Sequence, residues 1–426
     1  MVSNQGQRAS NAIVTMVLYL TVLYSDWMNV AALKYRDFRF YLGGNIFALN
    51  ALWMQRVTVG WIAWDLTASS SFVGFIAFMN FAPTLVSGPL FGVWIDRVRV
   101  KQAALATQSL MLAIALAIYV LFSLGLLNTH ALTVLAGFSG IVASAHNPVR
   151  MSLAPRLVDR EAVGSVINIA AINFNLARLT GPALGGWIIA VWGISAALLV
   201  QALCYLPFIL AIGFLRPRQR TTSKADGRSF LGALADGFGH VLSHALIRNA
   251  ILITALFAIV VRGTLEILPV LADGVFDKGA VGLGLLTSSA GFGALAAGVA
   301  KIVMPIQVAG RLPKTALASA LVGVCLVPLV GLSISWELSL ILIAGLGFAG
   351  TLSAVSLQTA IQTDLDDDLR GRVMSLWVMV GIGGAAIGAV ALGFLVDQLG
   401  FARALISTGA LAAAGLILLM TRISRD

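Results

Sequence analysis

The chain has 426 residues, of which 59% are hydrophobic and 11% charged, with a mean hydropathy of +0.94. This composition excludes a soluble globular protein, because so few polar side chains cannot cover the surface of a protein of this size. The formal net charge of +10 does not indicate nucleic-acid binding, since the basic residues lie in short segments between apolar runs and form no stripe with aromatic residues.

The N-terminal segment, residues 1–39, is ambiguous. Ala12–Ser25 is apolar over about the length of a signal or interfacial segment. Asp26 and Asn29 interrupt this run, and signal cleavage after it would place the basic segment Lys34–Arg39 outside the cell. We therefore interpret residues 1–39 as a cytoplasmic or interfacial segment.

Twelve apolar runs follow, and by length and apolar content each is a candidate to cross a hydrocarbon core about 30 Å thick. Residues 40–215 hold six of them: Phe40–Trp64, Phe72–Ile95, Ala103–Leu124, Ala131–Asn147, Val163–Val191 and Ile194–Leu215. Residues 249–426 hold the other six: Asn249–Phe276, Val281–Met304, Thr315–Ser333, Leu338–Gln362, Val373–Val396 and Ala402–Met420. The predicted fold class is an all-α membrane protein with twelve transmembrane helices in two six-helix bundles.

Residues 216–248 separate the two sets of helices. The segment is polar and basic, and Phe230–Leu246 within it is amphipathic and expected to lie on the membrane surface. Of the 28 Lys and Arg residues, 23 fall on one predicted membrane face, and only Lys278 and Arg403 fall on the other. The positive-inside rule therefore predicts that this linker and both termini are cytoplasmic.

Four charged residues fall inside predicted helices and well away from the helix ends: Arg56, Arg178, Arg262 and Glu266. Inserting a charged side chain into the centre of a membrane helix costs roughly 2.5–3.5 kcal/mol on insertion scales, so these residues are functional candidates. Arg262 and Glu266 lie four residues apart and form either a structural ion pair or a site where Glu266 responds to protons or substrate. Arg178 either binds an anionic substrate or holds helices together. Trp53 is a candidate contact for an amphipathic substrate.

The two halves align through two pairs of glycines, Gly74 with Gly284 and Gly88 with Gly298. The same offset carries Arg56 onto Glu266. Equivalent positions of a repeat transporter face one central cavity. We therefore hypothesise an Arg56–Glu266 contact in one state that competes with an Arg262–Glu266 contact in the other.

Two motifs point to a known family. Gly92-x-x-x-Asp96-Arg97-x-x-x-Lys101 follows the second predicted helix, and Gly181-Pro182-Ala183-Leu184-Gly185-Gly186 lies in the fifth. With Asn147-Pro148-Val149-Arg150 and Arg370-Gly371-Arg372-Val373-Met374-Ser375, they resemble the major facilitator superfamily, and within it the branch of bacterial exporters similar to the enterobactin exporter.

This resemblance implies the major facilitator fold and a secondary exporter in the bacterial inner membrane. It implies that Gly92, Asp96, Arg97 and Lys101 form a gating loop, and that Gly181, Pro182, Gly185 and Gly186 form an antiporter motif found mainly in exporters. The implied substrate is an amphipathic small molecule, siderophore-like or drug-like, whose export is driven by protons. A monomer is expected, with no cofactor and no metal.

The sequence departs from the family pattern at two places. Lys301–Lys314, where a second gating loop belongs, contains no acid, and the fourth helix lacks the arginine that drug/proton antiporters use. An uptake symporter and a flippase of an anionic amphiphile therefore stay open as alternatives. A membrane-embedded enzyme or a non-transporting receptor is disfavoured, because the sequence offers no constellation of nucleophile, metal ligands or acid/base groups and no signalling domain.

Overall fold

The computed structural model describes residues 31–218, 238–303, 310–365 and 367–423. Within these ranges the chain consists of helices joined by short turns, with no strand, so the predicted all-α class is confirmed. Eight helical stretches of the described residues are long and apolar enough to cross a membrane, and one of them, Arg160–Phe214, runs over 55 residues. Most of the predicted N-terminal segment 1–39 and of the predicted linker 216–248 lies outside the described residues.

Six helices precede the linker: α1 (Arg36–Thr67), α2 (Ser70–Arg97), α3 (Val100–Ser123), α4 (Thr129–Leu153), α5 (Val163–Leu203) and α6 (Leu206–Phe214). The turn between α1 and α2 is tight because Ala68 adopts a left-handed conformation with φ 49°. Asn128 caps α4 by accepting the backbone N–H of Ala131, one of the donors that a helix start leaves unpaired.

Six helices follow the linker: α7 (Ala245–Phe257), α8 (Gly279–Val303), α9 (Lys314–Leu332), α10 (Trp336–Asp364), α11 (Asp367–Leu399) and α12 (Phe401–Ile423). Between α7 and α8 the chain continues as π-helix over Ala258–Arg262, a helical turn over Gly263–Glu266 and a second π-helix over Val270–Val275. The prediction of one regular helix over Asn249–Phe276 was therefore wrong.

Other predicted boundaries also differ from the structure. The fourth helix does not end at Asn147 but runs through Pro148 to Leu153, because a membrane helix tolerates proline where neighbouring helices satisfy the freed carbonyl. By contrast, the predicted boundary between the fifth and sixth helices agrees with the structure, because Gly193 has a non-helical backbone, with φ 83° and ψ 170°, and the chain kinks there within Val163–Leu203. A further break, which was not predicted, comes at Cys204, where α5 ends.

The buried hydrophobic residues fall into two main clusters. One consists only of residues before the linker, with Tyr41 and Phe208 among the largest fully buried side chains. The other consists of residues from 241 onward together with five residues of α1 and α5: Met54, Val57, Ile188, Ile189 and Ala197. Each set of six helices therefore has its own core, and α1 and α5 also contribute to the core of the second set.

The two sets of helices meet along α2 against α11 and along α5 against α8. The α2–α11 contact is a backbone contact, because a Cβ added at Gly74 would lie 2.2 Å from the carbonyl oxygen of Ala389. A Cβ at Gly393 would lie 2.3 Å from the carbonyl oxygen of Ser70. Small residues are what allow membrane helices to approach so closely.

Among the described residues, most hydrogen bonds between the two sets lie at one end of the molecule, although Ser288 of α8 also donates to the carbonyl oxygen of Leu179 on α5. Trp64, at the end of α1, donates from Nε1 to Asp273 Oδ2 at 2.8 Å. Asp397, at the end of α11, accepts hydrogen bonds from the first turn of α2. We call this end, where α1 meets α2 and α11 meets α12, the closed end.

Candidate functional site

A central cavity of about 1270 Å³ lies between the two sets of helices. Four helices from each set line it: α1, α2, α4 and α5 on one side, and the α7 region, α8, α10 and α11 on the other. All five residues predicted for the pocket line this one cavity: Trp53, Arg56, Arg178, Arg262 and Glu266. Their roles stay predictions, but their convergence makes this cavity the candidate substrate site.

The cavity also holds charged and polar residues that the sequence analysis did not place there. Arg150 and His146 of α4 line it. Arg150 was missed because the fourth helix was predicted to end at Asn147, whereas α4 continues through Pro148 and carries Arg150 with it. His146 lies inside the predicted helix but was not among the residues predicted for the pocket. Four arginines thus face one carboxylate among the cavity-lining residues described, and the cavity is strongly cationic.

Aromatic rings hold three of these guanidinium groups. Arg56 lies over the rings of Trp53 and Phe81, with Cζ 4.6 Å and 4.9 Å from their centroids. Arg178 lies 5.7 Å from the centroid of Trp53, and Arg150 lies 5.2 Å from that of Phe174. Such contacts are worth about 0.5–1 kcal/mol at exposed sites and more when desolvated. They orient the cations without neutralising their charge.

Glu266 is surrounded by arginines but makes no direct ion pair. Among the described residues, no Lys or Arg nitrogen lies within 4.0 Å of its carboxylate. The charges of Arg56, Arg178 and Arg262 nevertheless all act on it electrostatically. Neither of the two hypothesised contacts of Glu266 is formed in this conformation, and their alternation between states stays a prediction.

The position of Glu266 depends on the irregular stretch between α7 and α8. Pro269 has no N–H to donate, so the helix cannot continue regularly through it. Gly263, the first residue of the turn Gly263–Glu266, packs against α11, where an added Cβ would lie 2.7 Å from the carbonyl carbon of Gly388. π-helical turns are rare and often lie at functional sites. Here the stretch presents both Arg262 and Glu266 to the cavity.

The predicted antiporter motif lies where α5 contacts both sets of helices. A Cβ at Gly181 would lie 2.6 Å from Cβ of Trp53, whereas one at Gly186 would lie 2.7 Å from the carbonyl oxygen of Ala280 on α8. Pro182 lies inside the helix between them, and Gly185 packs on Met54 of α1. The motif thus positions α1, with its Trp53, against α5 and seals α5 against α8.

A buried polar network fixes the register of α1. Gln55 donates to Ser139 Oγ at 3.1 Å and accepts from the hydroxyl of Tyr205 at 3.0 Å. Thr58 donates to Gln201 Oε1 at 2.7 Å. Buried polar groups of this kind are costly unless paired, so the network specifies one packing of α1 and hence the direction of the neighbouring Trp53 and Arg56.

His146 is held by a single side chain. Its Nδ1 lies 2.7 Å from Nε2 of Gln108, and both residues are buried. No group of three or more His, Cys, Asp or Glu residues in the described ranges could hold a metal ion.

The predicted gating loop is described only in part. The surroundings of Gly92 and the side chains of Asp96 and Arg97 lie outside what the structure describes. Lys101 is described, and its ammonium group donates to the carbonyl oxygens of Gly213 and Leu215 at 2.7 Å and 2.9 Å. In this conformation Lys101 therefore binds the last carbonyls of α6, within its own set of helices.

Comparison with known proteins identifies the family. The sequence profile of the transmembrane secretion effectors of the major facilitator superfamily matches residues 28–425. The chain belongs to this family. It is a transporter and not an enzyme, and its relatives are transporters too.

Two curated relatives of this transmembrane secretion effector are transporters of named compounds. It is 22% identical over 354 residues to the staphyloferrin A transporter of Staphylococcus aureus, covering 82% of this chain and 87% of the relative. It is 26% identical over 273 residues to the enterobactin exporter EntS of Shigella dysenteriae, covering 62% of each chain.

Solved structures share the fold at low sequence identity. A POT family transporter in complex with 5-aminolevulinic acid superposes with a TM-score of 0.69 at 12% identity, covering 92% of this chain and 96% of that one. A bacterial homologue of the lysosomal transporter Spinster, in an inward-facing and unoccupied conformation, gives a TM-score of 0.68 at 14% identity, covering 91% and 96%. The predicted major facilitator fold is confirmed.

Proposed function

We propose that this chain is a proton-driven exporter that moves an amphipathic, anionic small molecule out of the bacterial cytoplasm by alternating access. The observation that carries this proposal is the central cavity, where four arginines and one carboxylate lie among aromatic rings. An anion with a planar or apolar body would satisfy both the guanidinium charges and the aromatic faces. The names of the relatives, a staphyloferrin A transporter and an enterobactin exporter, support siderophore-like substrates and the outward direction.

Alternating access follows from the arrangement of the two sets of helices. We propose that residues 40–215 and 249–426 move as two bundles about the cavity, joined by a cytoplasmic linker over residues 216–248, and that the chain works as a monomer in the inner membrane. The distribution of Lys and Arg supports a periplasmic location for the closed end. The described conformation is then inward-facing, with the cavity accessible to a cytoplasmic substrate.

Proton coupling is assigned to Glu266. It is the one carboxylate among the described cavity-lining residues, and three guanidinium groups act on it. An anionic substrate and an ionised Glu266 act on the same three cations, and we link the two by letting the bundles change direction either with substrate bound or with Glu266 protonated. After the substrate leaves to the outside, Glu266 takes up a proton there, and this proton is released to the cytoplasm once the cavity faces inward again and the next substrate binds.

The test uses the full chain in proteoliposomes. Candidate anions and their neutral amides are first ranked by thermal stabilisation, and flux of the best anion is then measured under pH gradients of each sign. Glu266→Gln should still bind the anion but lose the dependence of flux on the gradient. Glu337→Gln, an exposed acid in the first turn of α10, is the matched control and should behave as wild type. Unchanged pH dependence in Glu266→Gln would contradict the proposal.

The same measurement separates the alternatives. An uptake symporter would accumulate substrate on the side toward which protons flow, whereas the proposed exporter moves it against them. A flippase of an anionic amphiphile would transfer a lipid between leaflets and show no stabilisation by water-soluble anions. Arg56→Gln and Arg178→Gln should each weaken anion binding by about tenfold, since a charge-assisted contact is worth roughly 1.5–3 kcal/mol. Arg403→Gln, exposed at the closed end, should not.

A further inference from the structure

A second concave site, which shares no lining residue with the central cavity, lies at the surface between α1 and α6. It has a volume of about 590 Å³. Its lining comes from the first two turns of α1 and from α6: Arg36, Arg39, Phe40, Gly43, Gly44, Pro207, Leu210, Ala211 and Phe214. We call this site the α1–α6 groove, and we propose that it binds an anionic phospholipid, with the phosphodiester at Arg36 and Arg39 and an acyl chain along the apolar floor.

The shape of the groove comes from two adjacent glycines with opposite surroundings. A Cβ added at Gly44 would lie 2.7 Å from Cα of Phe208, so glycine is what lets α1 and α6 touch there. At Gly43 an added Cβ would meet nothing within 4 Å, which leaves an open channel beside that contact. The side chains around the channel are strongly exposed, with Leu210 at 64% and Phe214 at 73%. In a membrane protein such a surface faces acyl chains.

Two cations stand at the mouth of this apolar channel. Arg36 lies over the ring of Phe40, with Cζ 5.4 Å from its centroid, which holds the guanidinium group beside the groove. Arg39 donates from Nη1 to the carbonyl oxygen of Leu33 at 3.3 Å and keeps its other donors. Within the described residues, neither guanidinium group lies within 4.0 Å of a carboxylate.

Asp37, which lies next to Arg36 in sequence, forms no ion pair with either arginine among the described residues. Asp37 accepts the backbone N–H of Arg216 through Oδ2 at 3.0 Å. The ammonium group of Lys101, on the carbonyl oxygens of Gly213 and Leu215, adds a further positive charge at the same end of α6. The groove therefore combines a positive mouth and an apolar floor at a membrane edge, and this is the charge pattern that complements an anionic lipid.

The proposal is tested by titrating the purified full chain with phosphatidylglycerol and with phosphatidylcholine of the same acyl chains, and counting bound lipids by native mass spectrometry. Wild type should bind its first phosphatidylglycerol about tenfold more tightly than its first phosphatidylcholine. Each arginine removed should weaken that binding by about fivefold, so that the double variant Arg36→Gln with Arg39→Gln loses the preference. Arg160→Gln, an exposed base of the α4–α5 connection at the same end, should keep it.

A second variant keeps the test valid if the double variant does not fold. Gly43→Leu fills the channel from a position where an added Cβ meets nothing within 4 Å, and it should lower phosphatidylglycerol binding with an unchanged melting temperature. Equal binding of the two lipids by wild type would overturn the proposal, as would an equal loss in Arg160→Gln. Binding that emerges only when residues 1–30 are deleted would also overturn it, because that segment would then be the occupant.

Discussion

Asp397 accepts the backbone N–H of Ser70 through Oδ1 at 2.8 Å, a contact between residues 327 positions apart in the chain. Its other oxygen accepts the N–H of Ser71 and the hydroxyl of Ser69, both at 2.9 Å. The carboxylate at the end of α11 thus caps the first turn of α2, where a helix leaves unpaired donors and carries partial positive charge. This capping joins the two sets of helices at the closed end.

We predict that Asp397→Asn weakens the closed end. The amide keeps one acceptor oxygen but loses the negative charge and the second acceptor, and the loss of a helix cap is worth about 1 kcal/mol. The population with separated closed ends should rise about fivefold. Spin labels at Leu66 and Leu399, both partly exposed at this end, would report the change as a longer distance. Asp65→Asn, an exposed acid near the end of α1, is the control. An unchanged distance distribution in Asp397→Asn would refute this.

The α5–α8 contact allows a prediction with a control in the same helix. A Cβ at Gly186 would lie 2.7 Å from the carbonyl oxygen of Ala280 and 2.9 Å from Cα of Gly284. Both are backbone atoms, so the added Cβ fits only if the two helices move apart. Gly186→Ala should therefore destabilise the fold by about 1–3 kcal/mol. At Gly164 an added Cβ would meet nothing within 4 Å, so Gly164→Ala should be neutral or stabilising by up to about 1 kcal/mol. Thermal unfolding followed by tryptophan fluorescence compares them; equal melting temperatures would show that the helices can separate freely.

A pH-dependent contact holds the start of α1 to the α4–α5 connection. Asp159 accepts hydrogen bonds from Arg218 Nη1 and, at 2.8 Å, from the hydroxyl of Tyr35. These two bonds, that of Arg218 first, lower the pKa of Asp159 below its ordinary value of 3.8. The stabilisation is therefore complete above that ordinary value and is lost as the pH falls through the lower pKa of the folded protein.

We accordingly expect Asp159→Asn to speed amide exchange in the helical turn Ala31–Lys34 at neutral pH, because Tyr35 next to that turn loses its anionic acceptor. Wild type and variant should converge in strong acid, where the wild-type carboxyl is also protonated. Hydrogen exchange measured across this pH range tests the sign of the effect. Glu161→Gln, two residues along the same connection, should exchange as wild type does, and a difference that persisted in acid would count against the assigned cause.

Part of this architecture could be predicted from the sequence because lipid imposes simple rules. The all-helical class follows from the length of the apolar runs. The sequence identified four charged residues of the cavity: Arg56, Arg178, Arg262 and Glu266. A charge within a membrane helix costs enough free energy that it is expected only where it has a function. That argument selects residues without giving their distances, which is why the sequence could suggest a direct Arg262–Glu266 pair that this conformation does not contain.

Other parts of the site could not be predicted. Arg150 was missed because Pro148 is a strong stop signal in a water-soluble helix, and only the packing of α4 shows that the helix continues. Pairs such as Trp64 with Asp273, far apart in sequence, depend on how the two sets of helices meet. The α1–α6 groove depends on which of two adjacent glycines faces a neighbour, and composition gives no sign of that.

The π-helical turn Ala258–Arg262 interrupts the structural repeat that relates the two halves. Such a turn accommodates one residue more than an α-helical turn, so the chain on its two sides differs in angular phase by roughly 100°. α1, the repeat counterpart of this region, is one unbroken α-helix. The single offset that carries Arg56 onto Glu266 therefore holds on one side of the turn only. Deleting one residue within Ala258–Arg262 is the smallest genetic change that would turn Glu266 away from the central cavity while leaving α7 intact.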